Sequence, residues 1–421
     1  MAKYFYRLFN LIFLVALFGI FKNTPLYLID KVLDVFCPFF CVSYLTHSFL
    51  VKRNEFYPFA RKALFGYFAL LIVSVLAATL LCHQKFLESL AAQLEFLQIF
   101  TLAFYAYAYK NRKLEVRDFE KYIKYFLILN LIIVVAFRNY VSTGTSLVGS
   151  HALVFKYNYL PVQFIRFGVI YFFVLFLKRG KYIYGLFCVF LLVFPNVMLK
   201  WERGYFFYTI MLMCLTVMLI RKSQRFFSKI IVGTFILLLL LVVAISFSGS
   251  FGASILTKYG DIISGVSQGS SGDASVNYRL KEIPAGLKLF AKDPLLGSGK
   301  LNSANSVIVT GIEYYPSDIG VIGILSTYGI VGVIVFVAVF YLAIKTFRRT
   351  LKNEKIYSVI TMSMAIYFLG VCIESIQTAQ VMLVPAFWCF LYLLYLYSKH
   401  QDEAVFLASR EHQNEQINFQ Q

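Results

Sequence analysis

Charge is scarce in this sequence: 14% of its 421 residues are Asp, Glu, Lys or Arg, against about a quarter in a typical soluble domain. That deficit excludes an ordinary water-soluble surface. Histidines number 5, dispersed at His47, His83, His151, His400 and His412, too far apart for a zinc spacing. The 7 cysteines (Cys37, Cys41, Cys82, Cys188, Cys214, Cys372, Cys389) lie in or beside apolar runs, where they read as small core residues rather than a disulfide framework. No glycine-rich phosphate loop is present, and no cytoplasmic connection is long enough for a nucleotide-binding domain. The sequence therefore calls for no metal, no cofactor and no ATP coupling.

What the chain has in abundance is apolar side chains, 60% of all residues. They fall into blocks of the length needed to cross a hydrocarbon layer about 30 Å thick. The blocks predict spans near 4–21, 32–50, 63–82, 92–109, 123–138, 162–178, 182–199, 205–220, 230–249, 319–344, 356–373 and 381–398. Uniformly apolar runs exclude an outer-membrane barrel, whose strands alternate apolar and polar. Backbone groups in lipid then have to be satisfied within helices. The expected fold is an all-α integral membrane protein, residues 1–421 forming one domain of about 12 transmembrane helices. Lys3 and Arg7 precede the first apolar run, as in a signal peptide, but "FKNTP" follows without a small-residue cleavage site, so this run reads as an anchor.

The formal net charge of +19 is a topology signal. Lys and Arg cluster at alternate span ends: Lys3 and Arg7; Lys52, Arg53, Arg61 and Lys62; "KNRKLEVRDFEKYIK" (110–124); "KRGK" (178–181); "RKSQR" (221–225); and "KTFRRTLKNEK" (345–355). By the positive-inside rule these clusters face the cytoplasm, with both termini, including a tail over 399–421. The bilayer, not nucleic acid, is the partner this charge implies.

Residues 250–318 then form one long outer loop. Its opening is rich in Gly and Ser, and "VNYRLKEIPAGLKLFAKDPLLGSGK" follows. Val276, Leu280, Ile283, Leu287 and Phe290 recur at helical spacing, with Arg279, Lys281, Lys288 and Lys292 on the polar side. An amphipathic helix lying on the outer membrane surface fits this pattern, with Pro284 inside it and the glycines of 293–299 forming a turn. Arg166 falls about a turn inside a span, where it is either a site residue or a cation snorkelling to the interface. Glu95 and Glu374 are similar intramembrane candidates.

Three stretches carry a family resemblance. "KWERGYFFYTI" (200–210) resembles the Ser-Arg-Gly motif at the outer start of a span in the O-antigen polymerase and O-antigen ligase superfamily. "YRLKEIPAGLKLFAKDPLLGSGK" (278–300) is similar to that family's long-loop signature, and "SDIGVIGILSTYGIVGVIVF" (317–336) to its next span. Glu202 stands where the family has Ser. Ligases of the superfamily carry His eleven residues before the first Gly of the last motif; counting back from Gly329, that place holds Asp318, which is more like the polymerases.

The resemblance implies a membrane glycosyltransferase of the bacterial cytoplasmic (inner) membrane, with a polyprenyl-diphosphate-linked oligosaccharide as substrate. The repeat units would be polymerised into O-antigen, capsule or exopolysaccharide. An O-antigen ligase is the alternative, and a flippase for the lipid-linked unit the alternative from another class; a chain-length regulator protein is a candidate partner. Arg203, Arg279 and Asp318 are the expected catalytic residues, with Glu202 and Glu313 as alternative bases. Glu202, Arg166, Lys281, Lys288 and Lys300 are the expected substrate-binding residues, and Lys200 reads as an interfacial ion-pair partner.

Cysteines substituted at Ser270 and Lys352, in a background without other reactive thiols, should report the orientation. An impermeant thiol reagent applied to intact cells is expected to label residue 270 and not residue 352; labelling only at 352 would invert the topology.

Overall fold

A computed structural model describes residues 2–18, 21, 27–50, 57–137, 143–146, 149–154, 162–199, 209–214, 216–217 and 274–419. The expected span 230–249, most of 205–220, and Lys200, Glu202 and Arg203 lie outside the described residues.

The architecture is helical, in chain order α1 (Ala2–Phe18), α2 (Tyr27–Leu50), α3 (Tyr57–Leu81), α4 (Phe86–Ala91), α5 (Leu94–Leu97), α6 (Thr101–Lys110) and α7 (Val116–Phe137). The strands β1 (Thr143–Ser146) and β2 (Gly149–Val154) come next, followed by α8 (Val162–Arg179) and α9 (Tyr182–Leu199). After residues 209–217 the described chain continues with α10 (Ala274–Lys292), α11 (Ser303–Thr310), α12 (Gly320–Lys352), α13 (Val359–Thr378), α14 (Gln380–Leu383) and α15 (Pro385–Phe419). Among the described residues, three helices are long and apolar enough to cross a membrane: Pro58–Leu81, Pro316–Lys352 and Val359–Thr378. Shorter apolar helices occupy Tyr4–Leu17 and Tyr182–Leu192.

Two departures from the all-α, continuous-span expectation have local causes. The connection after α7 holds a hairpin, with β1 antiparallel to β2 and Thr143 opposite Val154. Its β-branched Thr and Val residues suit extended backbone. The apolar run 92–109 is interrupted, passing from α5 through a 3-10 turn at Gln98–Phe100 into α6. Buried glutamines mark that interruption: Gln93 Nε2 donates to Ser74 Oγ at 2.5 Å and Gln98 Nε2 to Asp34 Oδ1 at 2.5 Å.

Among the described residues, several of the clusters assigned to the cytoplasm are tied to neighbouring elements. Arg7 pairs with Asp118 at 3.1 Å. The Lys178 ammonium donates to the Tyr357 carbonyl, and Arg349 approaches Glu403 at 3.5 Å. Asp402 accepts from the Ser358 N–H and from the Ser358 and Thr361 hydroxyls, which caps α13 and ties it to α15. The loop assigned to the outside packs instead around residues 82–88 and the far end of α13.

Within that loop the segment Pro294–Gly299 enters a break in α12. Gly329, with φ 62° and ψ −157°, interrupts the helix. The interruption frees backbone groups, which inside a membrane protein need other partners. The loop supplies them. Ser298 and Gly299 N–H groups donate to the Ser326 and Thr327 carbonyls at 2.8 and 3.1 Å, while Ile330 and Val331 N–H groups donate to the Pro294 and Leu295 carbonyls at 2.9 and 3.3 Å. The expected uninterrupted span over 319–344 is thus two helical pieces joined at Gly329. The same loop seats on α3, where Lys300 N–H donates to Ser74 Oγ at 3.0 Å. Asn302 and Asn305 side-chain amides reach Glu88 at 3.2 and 3.1 Å.

Space at these contacts is minimal. A Cβ on Gly329 would stand 2.3 Å from the Leu295 carbonyl oxygen, and one on Gly299 (φ +74°) 2.1 Å from that of Ser74. Gly329→Ala is expected to lose about 2–5 kcal/mol, combining a left-handed Ala with overpacking. Gly66→Ala in α3 meets nothing within 4 Å, and replacing a mid-helix glycine there should gain about 0.5–1 kcal/mol. Thermal unfolding of both variants in detergent, followed by size-exclusion fluorescence, checks the contrast; equal melting would remove the break as a structural requirement.

Candidate functional site

Helix α10 brings its residues to the start of α12, but not by the face that the apolar pattern suggests. Leu280 and Leu287 are exposed, and the inward face is Glu282, Ala285, Gly286 and Leu289. Close approach explains the choice: a Cβ on Gly286 would lie 2.9 Å from Ile319 Cδ1 and from the Tyr314 hydroxyl. Only small residues fit there. Ala285 and Leu289 join Ala78, Cys82, Leu301, Tyr314 and Ile319 in a small core beneath the loop. Pro284 sits on the exposed side of the helix without ending it.

Glu282 is the polar exception on that inward face, and it is fully buried. Tyr315 N–H donates to its Oε1 at 2.9 Å. Its Oε2 is buried without a hydrogen-bond partner among the described residues, as is Nε of Arg279, one turn earlier. Burial pushes the Glu282 carboxyl up to about 7; the Tyr315 N–H opposes this, the Asp318 carboxylate adds to it, and the Arg279 guanidinium opposes it. Glu282 is not singled out by the apolar pattern, which places charged residues of this helix on its polar side. Its spacing from Ala285, Gly286 and Leu289 was the available signal.

Asp318 lies in the 3-10 turn Pro316–Ile319 that leads into α12. A capping carboxylate would bond a backbone N–H of the helix. Here the N-cap position belongs to Ile319 with no side-chain cap, and Asp318 Oδ1 accepts instead from Ser317 Oγ at 3.0 Å. Asp318 is partly exposed, as is Arg279. Glu313 is held beside them: the Tyr278 hydroxyl donates to its carbonyl and the Tyr315 hydroxyl to its carboxylate. Burial and the neighbouring carboxylates raise both tyrosines above the usual phenol range. Cations and carboxylates from α10 and from 313–318 therefore share one patch.

The other expected residues fall elsewhere. Lys281 and Lys288 are exposed on the outward side of α10. Lys300 has its backbone clamped between Ser74 and Gln84, with its side chain half-buried. Arg166 does not snorkel. It is buried and forms an ion pair with Glu374 of α13, so two isolated sequence candidates prove to be partners. They border a cavity of about 20 Å³ of water-sized space together with Thr209, Leu212 and Tyr367, room for roughly one water. Two residues beyond Glu374, about 3 Å along the helix axis, the Ile376 carbonyl presses on Gly320, which follows the Asp318 turn. The ion pair and the patch thus flank the same level of α13. Arg203, Glu202 and Lys200 lie outside the described residues, and the side chain of Glu95 is likewise undescribed.

Six of the seven cysteines are buried free thiols, in keeping with a packing role, and Cys214 is exposed.

No curated protein matches the chain. A family comparison does: residues 188–337 match the O-antigen ligase family. The match takes in α10, the inserted loop and the first part of α12 with its break, together with the stretch around Arg203. It agrees with apolar helices fit to cross a membrane, and with glycan processing of the ligase or polymerase type in a bacterial membrane. Over residues 188–337, then, the chain is similar to the O-antigen ligase family.

Proposed function

We propose that this protein is a polysaccharide polymerase that joins polyprenyl-diphosphate-linked oligosaccharide repeats at the outer face of the bacterial inner membrane. The acceptor hydroxyl oxygen of one lipid-linked repeat attacks the anomeric carbon of the growing chain. The bond from that carbon to the diphosphate breaks, polyprenyl diphosphate leaves, and the hydroxyl proton passes to a carboxylate. A single displacement inverts the anomeric configuration.

The observation that carries this reading is the packing of α10 against the Asp318 turn, which sets Arg279 and Asp318 each within electrostatic reach of Glu282 inside the matched segment. Negative charge grows on the departing diphosphate, and fixed cations stabilise that charge more in the transition state than in the ground state. Arginine suits the task because its planar fork binds two phosphate oxygens and stays charged. Arg279 has that role here, joined by Arg203 from the outer start of the span expected over 205–220. Asp318, partly exposed and not engaged as a helix cap, is the general base. Lys281, Lys288 and Lys300 provide weaker, non-directional attraction for the anionic donor, and Arg166 holds its end of α13 through Glu374.

The ligase alternative differs in the acceptor and in the base. Asp at position 318, where ligases carry His, favours polymerisation. A flippase would carry charge deep in related halves, whereas the charged patch here gathers around one loop.

Arg203→Lys and Arg279→Lys should keep the charge yet lose most long-chain polymer, because an ammonium cannot bind bidentately. Single-repeat lipid-linked product should accumulate, visible as collapsed ladders on polysaccharide gels from normally expressed variants. Long chains from both variants would sink the diphosphate clamp. Asp318→Asn should lower the rate by about 100- to 10,000-fold, the usual loss for a general base, while donor binding persists. Near-normal polymer from that variant would move the base to Glu202 or Glu313.

A further inference from the structure

Glu282 is not required by the steps above, yet a fully buried carboxyl with one unpartnered oxygen is a demanding feature to keep. Neutralising or pairing such a group ordinarily relieves it. Among the described residues, the titratable groups around it come from two segments. Its own helix contributes Tyr278 and Arg279; the packed segment contributes Tyr314 and Asp318, with Glu313 and the Tyr315 phenol next along. Helix α12 reaches this cluster through uncharged Ser326, bonded to the Tyr314 hydroxyl. Among the described residues, the charged groups that act on Glu282 are the Arg279 guanidinium and the Asp318 carboxylate.

We propose that Glu282 is a positioning residue of the glycan-transfer site, holding the Asp318 segment through the Tyr315 N–H and exchanging its charge for a proton when a diphosphate binds at Arg279. The proposal rests on the polymerase reading and adds a proton balance to it. With Glu282 ionised, the Arg279 charge is shared between protein carboxylates. When an anionic diphosphate takes the guanidinium, Glu282 loses its compensating cation and gains a negative neighbour. A proton from solvent then settles on Glu282 Oε2, leaving Asp318 ionised and able to accept the proton of the sugar hydroxyl. The resting carboxyl, held up to about 7, is already poised for this change.

The sign follows from linkage. If the complex binds more protons than the free protein, affinity falls as pH rises. Above about 7, where free Glu282 is ionised, affinity for a diphosphate should fall up to tenfold per pH unit. Glu282→Gln resembles the protonated form, so its affinity should stay flat over that range and exceed that of the wild type at pH 8.

Calorimetric titration of the purified full chain with farnesyl diphosphate, a short polyprenyl diphosphate, tests this at pH 7.5–8 in buffers of differing ionisation enthalpy. The wild type should take up close to one proton per ligand beyond that of the Gln variant; the ligand's own titration is common to both proteins. Equal proton uptake in the two proteins, or binding by the wild type that does not weaken from pH 7 to 8, would overturn the proposal and leave the polymerase reading standing. No diphosphate binding by the wild type at any pH would sink both. Should Glu282→Gln fail to fold, the pH dependence of wild-type affinity alone decides. A purely structural Glu282 would change stability on substitution but would not move protons with the ligand.

Discussion

The break in α12 at Gly329 is the constraint on which the rest of this end of the molecule depends. A helix interrupted within a membrane protein leaves carbonyl and N–H groups that lipid cannot satisfy. Here they are satisfied by Pro294–Gly299, which accepts and donates in turn across the break. The exchange is possible only because two backbones come within direct hydrogen-bonding distance. That closeness requires glycine where they meet: at Gly329 a side chain would strike the Leu295 carbonyl, and at Gly299 that of Ser74. The loop and the bundle are therefore one folded unit.

From this insertion the site follows. Helix α10 ends just before the inserted strand of chain, and Asp293 accepts from Leu295 and Leu296 N–H at 3.1 Å to turn the chain inward. With its C-terminal end pinned, α10 lies along the start of α12, and its small face admits Tyr314 and Ile319 closely. Arg279, Glu282 and the Asp318 turn then share one patch. The residue types suit the proposed anionic, lipid-borne substrate, with cations for a diphosphate and a partly exposed carboxylate for a sugar hydroxyl. The Arg166–Glu374 pair braces α8 against α13 at the level where α13 supports the Asp318 turn.

Much of this was legible in the sequence, for identifiable reasons. Apolar blocks give helix positions because hydrocarbon thickness sets their length, and α1–α3, α7–α9, α12, α13 and α15 lie near the expected spans. Positive-end glycines in "DPLLGSG" announced a turn, and Gly297 and Gly299 adopt φ of 75° and 74°. Arg279 and Asp318 stood out through the family resemblance of their stretches. The inward face of α10 was not, because hydrophobic periodicity ranks Leu280 and Leu287 above Ala285 and Gly286. Steric closeness decided otherwise.

By itself the sequence determined a helical membrane protein and the residues of the segment similar to the O-antigen ligase family. These properties follow from local composition: a run of apolar residues must be buried in lipid wherever it sits in the fold. Only the tertiary structure decided that α12 breaks, that a loop residue's N–H completes it, that Arg166 belongs to Glu374, and that Glu282 is buried beside Arg279 and Asp318. Each of these depends on which segments approach one another, and hydrogen bonds, ion pairs and the charge state of a buried carboxyl exist only once that approach is made.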